Sequence, residues 1–326
     1  MTCLANRNRN PGIELYRILL MFGITLLHVA GLSQSGYDWL ANLLHPCVTA
    51  FAFVSGWFGC RFRFRKLAKL YGTAIFCAVV MTTILMRSDY VAVQFGSTWS
   101  AQFFRMVKNY WFLHAYAVMM MFAPLVNSVV DRPFTVESKR EVFWSLLPVV
   151  VLSFGWSFAA TFRCTESWMP RSSGFGAYTG LTLIGTYAVA RYCRWSGCLS
   201  KIPLGYSLVV FAICCALATF KLGRYNSPVA LVVAALTFKW ATSLRFQTPG
   251  LVRAIALLSP SMFSVYLLQV NDFMFPFITD CSLRLARSIP SFCTVGLLTV
   301  AVFVVCILVD CMRRLGVWGV RRMFGL

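Results

Sequence analysis

Charge is what this sequence has least of. Only 12% of its 326 residues are Asp, Glu, Lys or Arg, while 59% are hydrophobic and the mean hydropathy is +0.71. A soluble domain carries about 25% charged residues, so an ordinary water-soluble fold is excluded. Acidic residues are the scarcest, ten against thirty Lys and Arg, which leaves a net charge of +20. Such an excess would suit nucleic acid if it formed a basic patch on a soluble domain. Here the cations are scattered through short loops between apolar runs, so no nucleic-acid partner is expected. The thirteen cysteines include no C-x-x-C pair, which removes the thioredoxin-type motif and the usual zinc spacing. Most, such as Cys77, Cys214, Cys215 and Cys306, lie in apolar runs and read as small hydrophobes. Cys164 and Cys281 fall in loops expected outside, and nothing in the sequence pairs them. There is no phosphate loop, no G-x-S-x-G elbow and no H-E-x-x-H. A soluble domain, a long linker and a low-complexity stretch are also lacking, so residues 1–326 read as one membrane domain. The first apolar run exceeds a signal h-region and has no small-residue cleavage site, so it is expected to be retained as a span.

What the chain does have is long hydrophobic runs. Their lengths predict an all-α, polytopic integral membrane protein of about ten transmembrane helices. The runs are 13–33, 42–60, 67–87, 109–129, 143–161, 176–192, 203–220, 228–244, 252–271 and 291–311, the ninth interrupted by Pro260. With both termini placed in the cytoplasm, the inner segments hold about twice as many Lys and Arg as the outer loops, the bias that sets orientation. The short tail with Arg313, Arg314, Arg321 and Arg322 is expected to meet anionic headgroups. Segment 97–108, with Trp99, Phe103, Phe104, Arg105 and Lys108, is expected along the outer interface. Gly176, Gly180 and Gly185 predict close helix packing in the sixth span.

Ionisable groups are costly in hydrocarbon, so those inside a span face protein or water and usually have a task. Arg17 and His28 stand in one run, GIELYRILLMFGITLLHVAG. Eleven helical steps turn about 1100° and rise about 16 Å, so the pair shares a face with one member near each end. Glu14, one turn before Arg17, can pair with it and lower the cost of burial. On the predicted topology His28, His45 and His114 all fall in the outer half. A neutral imidazole there can take a proton from a hydroxyl or hydrogen-bond a neighbouring helix. Their spacing does not define a metal site, and none is expected. Directly after FVSGWFG, the stretch CRFRFRKLAKLY crowds Arg61, Arg63, Arg65, Lys66 and Lys69. Guanidinium forks match phosphate oxygens, so a phosphate-rich ligand and plain membrane anchoring both fit. In the ninth run Ser261, Ser264, Tyr266, Gln269, Asn271 and Asp272 either line a polar cavity or satisfy one another.

With these residues in view, the chain resembles the acyltransferase-3 family of integral membrane acyltransferases, which includes O-antigen and exopolysaccharide O-acetyltransferases. NPGIELYRILLMFGITLLH is similar to the family's opening block, with Arg, ten residues, then His. CVTAFAFVSGWFGCRFRFRKL is similar to its Ser-Gly block with a basic follow-on. YWFLHAYAVMMMFAPLVN and LLSPSMFSVYLLQ resemble the Trp-Phe-Leu block and the late Ser…Tyr-Leu-x-His block. The resemblance implies about ten spans, an acetyl-CoA or other acyl-CoA donor from the cytoplasm and a glycan or lipid-linked sugar acceptor near the outer face. It makes His28 the expected catalytic histidine with Arg17 and Glu14 as partners, and Arg61, Arg65, Lys66 and Ser55 the expected donor contacts. His45, His114, Tyr266 and Gln269 are then candidates for the acceptor site. Gln269 departs from the family pattern, since many relatives carry histidine there and an amide cannot act as a base. Some relatives add an outer hydrolase-like domain that finishes the transfer; none is expected here, so the membrane part is expected to complete delivery itself or hand over to a separate protein. The expected setting is a multi-pass protein of the inner membrane, with membrane lipids and glycan-assembly proteins as partners. A transporter or flippase for an anionic glycan or lipid would suit the same many-span layout and buried arginine.

Overall fold

The structure is a computed structural model that describes residues 10–33, 36–87, 98–131, 133, 135–161, 177–222, 227–270 and 274–323. Cys164, Gly176, Asn271 and Asp272 lie outside the described residues. Among these the regular structure is helical throughout, with no strand. In chain order the helices are α1 (Pro11–Leu32), α2 (Asp38–Leu44), α3 (Pro46–Phe58), α4 (Phe64–Arg87), α5 (Trp99–Asn109), α6 (Trp111–Val130) and α7 (Val136–Thr161). They continue with α8 (Ala177–Ser196), α9 (Leu204–Leu217), α10 (Pro228–Ser243), α11 (Pro249–Leu258), α12 (Met262–Gln269), α13 (Met274–Leu285) and α14 (Ser291–Met323).

Among the described residues six stretches are long and apolar enough to cross a membrane: Pro11–Leu32, Asp38–Phe58, Phe64–Ile84, Trp111–Val130, Pro249–Gln269 and Ser291–Gly319. Helices Leu204–Phe220 and Pro228–Ser243 are apolar but shorter. Large hydrophobic side chains such as Phe76, Leu152, Val209 and Val305 stand exposed along the helices. Exposed apolar area on that scale is a lipid-facing surface, and the chain is a multi-pass membrane protein.

Local chemistry explains the helix ends. Asn10 caps α1, its Oδ1 accepting the Gly12 N–H at 2.8 Å, and Pro11 occupies the first turn, where no donor is missed. Pro260 breaks the ninth apolar run into α11, a tight turn over Ser259–Ser261, and α12. Pro46 opens α3 and separates it from α2 at His45. The last helix is longer than its apolar run. It continues through the basic tail, because buried Asp310 binds Arg313 at 2.7 Å and Arg314 at 3.2 Å, three and four residues on.

The chain forms two compact units. One comprises residues 1–41, 70–109 and 244–326. Within it α1 packs against α11, α12, α13 and α14, with Phe22 edge-on to Phe303 at 5.3 Å. The predicted interfacial segment is the helix α5, which buries Gln102 and Met106 and leaves Phe104 exposed.

The other unit comprises residues 42–69 and 110–243. Helix α8 is its hub, packed against α3, α6 and α7, while α10 packs on α3. The core is rich in alanine, with Ala52, Ala115, Ala123 and Ala188 around Met119, Leu183 and Tyr187. Small residues let backbones approach closely. A Cβ at Gly185 would lie 2.6 Å from the Ser153 Cβ, as the packing expectation for that residue requires. At Gly56 it would lie 2.6 Å from the Tyr187 carbonyl oxygen, which is backbone and cannot yield. Gly56→Ala is therefore expected to destabilise the protein by about 1–3 kcal/mol. Gly72→Ala, with open space around it, leaves thermal unfolding in detergent unchanged or slightly raised.

Candidate functional site

In the unit containing α1, the helix is unbroken from Pro11 to Leu32. Arg17, Met21, Ile24 and His28 follow one another at spacings of three and four, so they form one stripe. At one end Glu14 Oε2 accepts Arg17 Nη1 at 3.2 Å and also the hydroxyl of Ser259. The Glu14 side chain is 13% exposed and that of Arg17 33%. A buried charge is tolerable only when paired and hydrogen-bonded, and here one carboxylate oxygen meets both conditions. Ser259 stands at the end of α11, just before Pro260, with its N–H still bonded to the Ile255 carbonyl.

Midway along the stripe Met21 and Ile24 are buried. The Gln269 amide nitrogen donates to the Met21 sulfur at 3.6 Å. Gln269 is 1% exposed, and its Oε1 meets no donor among the described residues. Ser261, Ser264 and Tyr266 are buried with it. At the far end His28 is half-buried, its ring 5.8 Å from that of Phe275 and tilted by 53°. The end of α1 is held by α13, where Thr279 donates to the Leu32 carbonyl at 3.2 Å and Ser282 to that of Ser33 at 3.4 Å. The sequence-predicted residues Glu14, Arg17, His28, Tyr266 and Gln269 all belong to this unit. Glu14 and Arg17 touch, whereas about 16 Å of helix separates Arg17 from His28.

Ser55, Arg61, Arg65, Lys66, His45 and His114 belong to the other unit. Ser55 Oγ donates to the Phe51 carbonyl at 3.0 Å and lies 2.9 Å from Tyr116 Oη. With its only proton so committed, it accepts from the tyrosine. His45 stands at the start of α3 and His114 in the first turn of α6, both half-buried.

The turn after α3 is clamped from several sides. Gly59 takes φ 76°, a left-handed backbone that favours glycine. A side chain there would also meet Arg191, whose Nη1 would be 3.1 Å from its Cβ. Arg191 in turn pairs with Asp131 at 2.8 Å. Arg194 donates to the Trp57 carbonyl at 2.7 Å and stands 5.8 Å over the Phe58 ring. A closed circuit holds Cys60: its N–H donates to Tyr187 Oη at 2.8 Å, Tyr187 donates to Asn127 Oδ1 at 2.8 Å, and Asn127 Nδ2 donates to the Cys60 carbonyl at 2.9 Å. From this fixed point Arg61, Arg63, Arg65, Lys66 and Lys69 emerge exposed. Forks and ammonium groups on a rigid, accessible turn fit a ligand rich in phosphate. No three His, Cys, Asp or Glu converge on a metal-sized site among the described residues.

Sequence reasoning overlooked Ser259, Tyr116, Tyr187, Arg191, Arg194 and the clamping part of Asn127. Asn127 and Tyr116 stood inside the quoted YWFLHAYAVMMMFAPLVN, and a polar residue closing such an apolar block was a usable signal. Tyr187 lies in LTLIGTYAVARYC, where nothing distinguishes it from core. Replacing Tyr187 by Phe leaves the Cys60 N–H without its acceptor and Asn127 without its donor, a loss of about 1–3 kcal/mol. Amide hydrogen exchange at residues 57–66 of that variant is expected to accelerate while α8 stays protected.

An imidazole and a held guanidinium share one helix stripe, and an anchored basic turn is present on the chain. The family described as an acyltransferase domain matches residues 10–311, nearly the whole chain. No curated protein and no solved structure matches it. The match spans all four sequence blocks that carried the resemblance, and the chain belongs to the acyltransferase-3 family of membrane acyltransferases.

Proposed function

We propose that the protein transfers an acetyl group from cytoplasmic acetyl-CoA to a sugar hydroxyl of a cell-surface or exported glycan, at the inner membrane of the cell envelope. The observation that carries this reading is the α1 stripe, with Arg17 secured by Glu14 and Ser259 and His28 on the same face. The acceptor is a glycan or lipid-linked sugar, and both chain termini lie in the cytoplasm.

The roles follow from the chemistry of each group. His28 takes the proton of the acceptor hydroxyl as its oxygen attacks the thioester carbonyl; the new C–O bond forms, the C–S bond breaks, and the CoA thiolate leaves to be protonated. Proton removal by a placed imidazole contributes on the order of 10²–10⁴-fold. Arg17, about 16 Å along the helix from His28, holds a donor phosphate or fixes the cavity electrostatically. The buried, open Oε1 of Gln269 accepts from a hydroxyl or amide of a bound substrate, so it orients without moving a proton. Arg61, Arg65 and Lys66 hold the donor's phosphates, on a turn whose backbone is fixed by Ser55, Tyr187 and Asn127. His45, His114 and Tyr266 contact the acceptor.

Purified protein with labelled acetyl-CoA and envelope glycan tests this directly. Wild type is expected to yield acetylated glycan, and His28→Ala to lose on the order of 10²-fold or more in kcat while eluting as a folded protein. Neutralising Arg61, Arg65 and Lys66 together is expected to raise KM for acetyl-CoA with kcat little changed. Undiminished transfer by His28→Ala would remove the mechanism.

A further inference from the structure

One ion pair beside the basic turn of the second unit is only half made. Asp131 closes α6 one helical turn after Asn127, and its N–H donates to the Asn127 carbonyl at 2.8 Å. Both side chains therefore lie on one face. Asn127 holds the Cys60 carbonyl, and Asp131 holds Arg191, whose guanidinium lies against Gly59. The pair thus borders the turn from which Arg61, Arg63, Arg65 and Lys66 emerge exposed. Its two members differ sharply in burial: the Arg191 side chain is 14% exposed and that of Asp131 67%.

A guanidinium presents Nε–H and one Nη2–H side by side along one edge, a fork that two oxygens of a single anion match. Here Nη2 donates to Asp131 Oδ1 at 2.8 Å, while Nε is buried and meets no acceptor among the described residues. A buried N–H without an acceptor is costly, so this edge lacks one oxygen. A pair that served only to brace the turn would close both donors on the carboxylate. The exposed carboxylate is weakly held, because water and salt screen such pairs. Its negative charge also opposes any phosphate that approaches the turn.

We propose that Arg191 is a further phosphate ligand of this turn, and that Asp131 occupies its edge only until a phosphate arrives. The ligand class is a phosphate monoester or diphosphate of a coenzyme A donor, and the inference rests on the reading of the basic turn as the donor site. On binding, the exposed Asp131 side chain swings into solvent, and two phosphate oxygens take the Nε and Nη2 donors. The half-used edge becomes a full fork, and the buried Nε gains its acceptor. Arg191 then gives the ligand a contact of fixed direction, since Gly59 and the helix hold its guanidinium in place. The exposed cations of residues 61–66 add charge on mobile stems. Because each binding event must displace a carboxylate, Asp131 weakens the donor's hold and closes over Arg191 again as free coenzyme A departs.

Calorimetric titration of the full chain with coenzyme A, in detergent free of phospholipid, tests the proposal. Asp131→Asn removes the competing charge at an exposed position and is expected to lower Kd about fivefold to tenfold at low salt. The gain is expected to shrink at high salt, and pantetheine, which carries no phosphate, is expected to bind both proteins alike. In an Arg191→Lys background, where the fork is gone but the charge stays, the same Asn substitution is expected to gain less than about twofold. An equal gain in both backgrounds marks a through-space charge effect and overturns the displacement. Coenzyme A affinity unchanged or weakened in Asp131→Asn overturns the proposal and leaves the donor reading standing. No binding of coenzyme A by either protein removes the donor reading and the proposal with it. Tightening toward added phosphatidylglycerol but not toward coenzyme A also overturns it, since the ligand is then a lipid headgroup.

Discussion

A carboxylate oxygen shared between a guanidinium and a hydroxyl governs how the first helix is built. Glu14 Oε2 holds Arg17 and Ser259 together, and removing any of the three leaves a polar group short of a partner in apolar surroundings. Losing one member of such a set is far more damaging than never having had it, because an uncompensated charge remains. Pro260 tightens the chain over Ser259–Ser261, while Ser259 keeps its helical N–H bond to the Ile255 carbonyl and turns only its hydroxyl to Glu14. The same logic recurs at Asp310, fully buried and holding Arg313 and Arg314, which carries the last helix beyond its apolar run. In a chain with ten acidic residues, the buried carboxylates of Glu14 and Asp310 are both committed to holding arginines.

The second unit solves a different problem. A cluster of five cations repels itself and would leave a loop floppy, yet the turn that launches it is fixed by hydrogen bonds to backbone. Tyr187 and Asn127 hold Cys60, Arg194 holds Trp57, and Gly59 fits beneath Arg191. The contacts from Tyr187, Arg191 and Arg194 depend on α8 lying very close to α3, for which Gly56 makes room. Packing of small residues in the apolar core thus determines where charged residues stand at its edge. A rigid mount for a flexible set of cations reduces the entropy lost when a multiply charged ligand binds.

Much of this was legible in the sequence because it was written in length and period. The apolar runs marked the helices, Pro260 marked the broken one, and the spacing of Arg17 and His28 put them on one stripe. The Glu14–Arg17 pair followed from a separation of three residues. What the sequence hid depends on contacts between distant residues. Ser259 meets Glu14 across 245 positions, and Tyr187 meets Cys60 across 127; neither has any local signature. The last helix outran its hydrophobic run because i to i+3 and i+4 ion pairs extend a helix where hydropathy cannot. The likeness of LLSPSMFSVYLLQ to a family block drew attention to this stretch, but that Ser259 faces Glu14 was visible only once the helices were packed.

The account stands on Glu14, Arg17 and Ser259 acting as one unit on which transfer depends. A double-mutant cycle with Glu14→Gln and Arg17→Gln, read as the rate of acyl transfer by folded protein, addresses that dependence most directly. If the carboxylate serves to hold the guanidinium, each single variant loses nearly as much activity as the double, and the losses fall about tenfold or more short of multiplying. Losses that multiply independently, or full activity in both single variants, would contradict it.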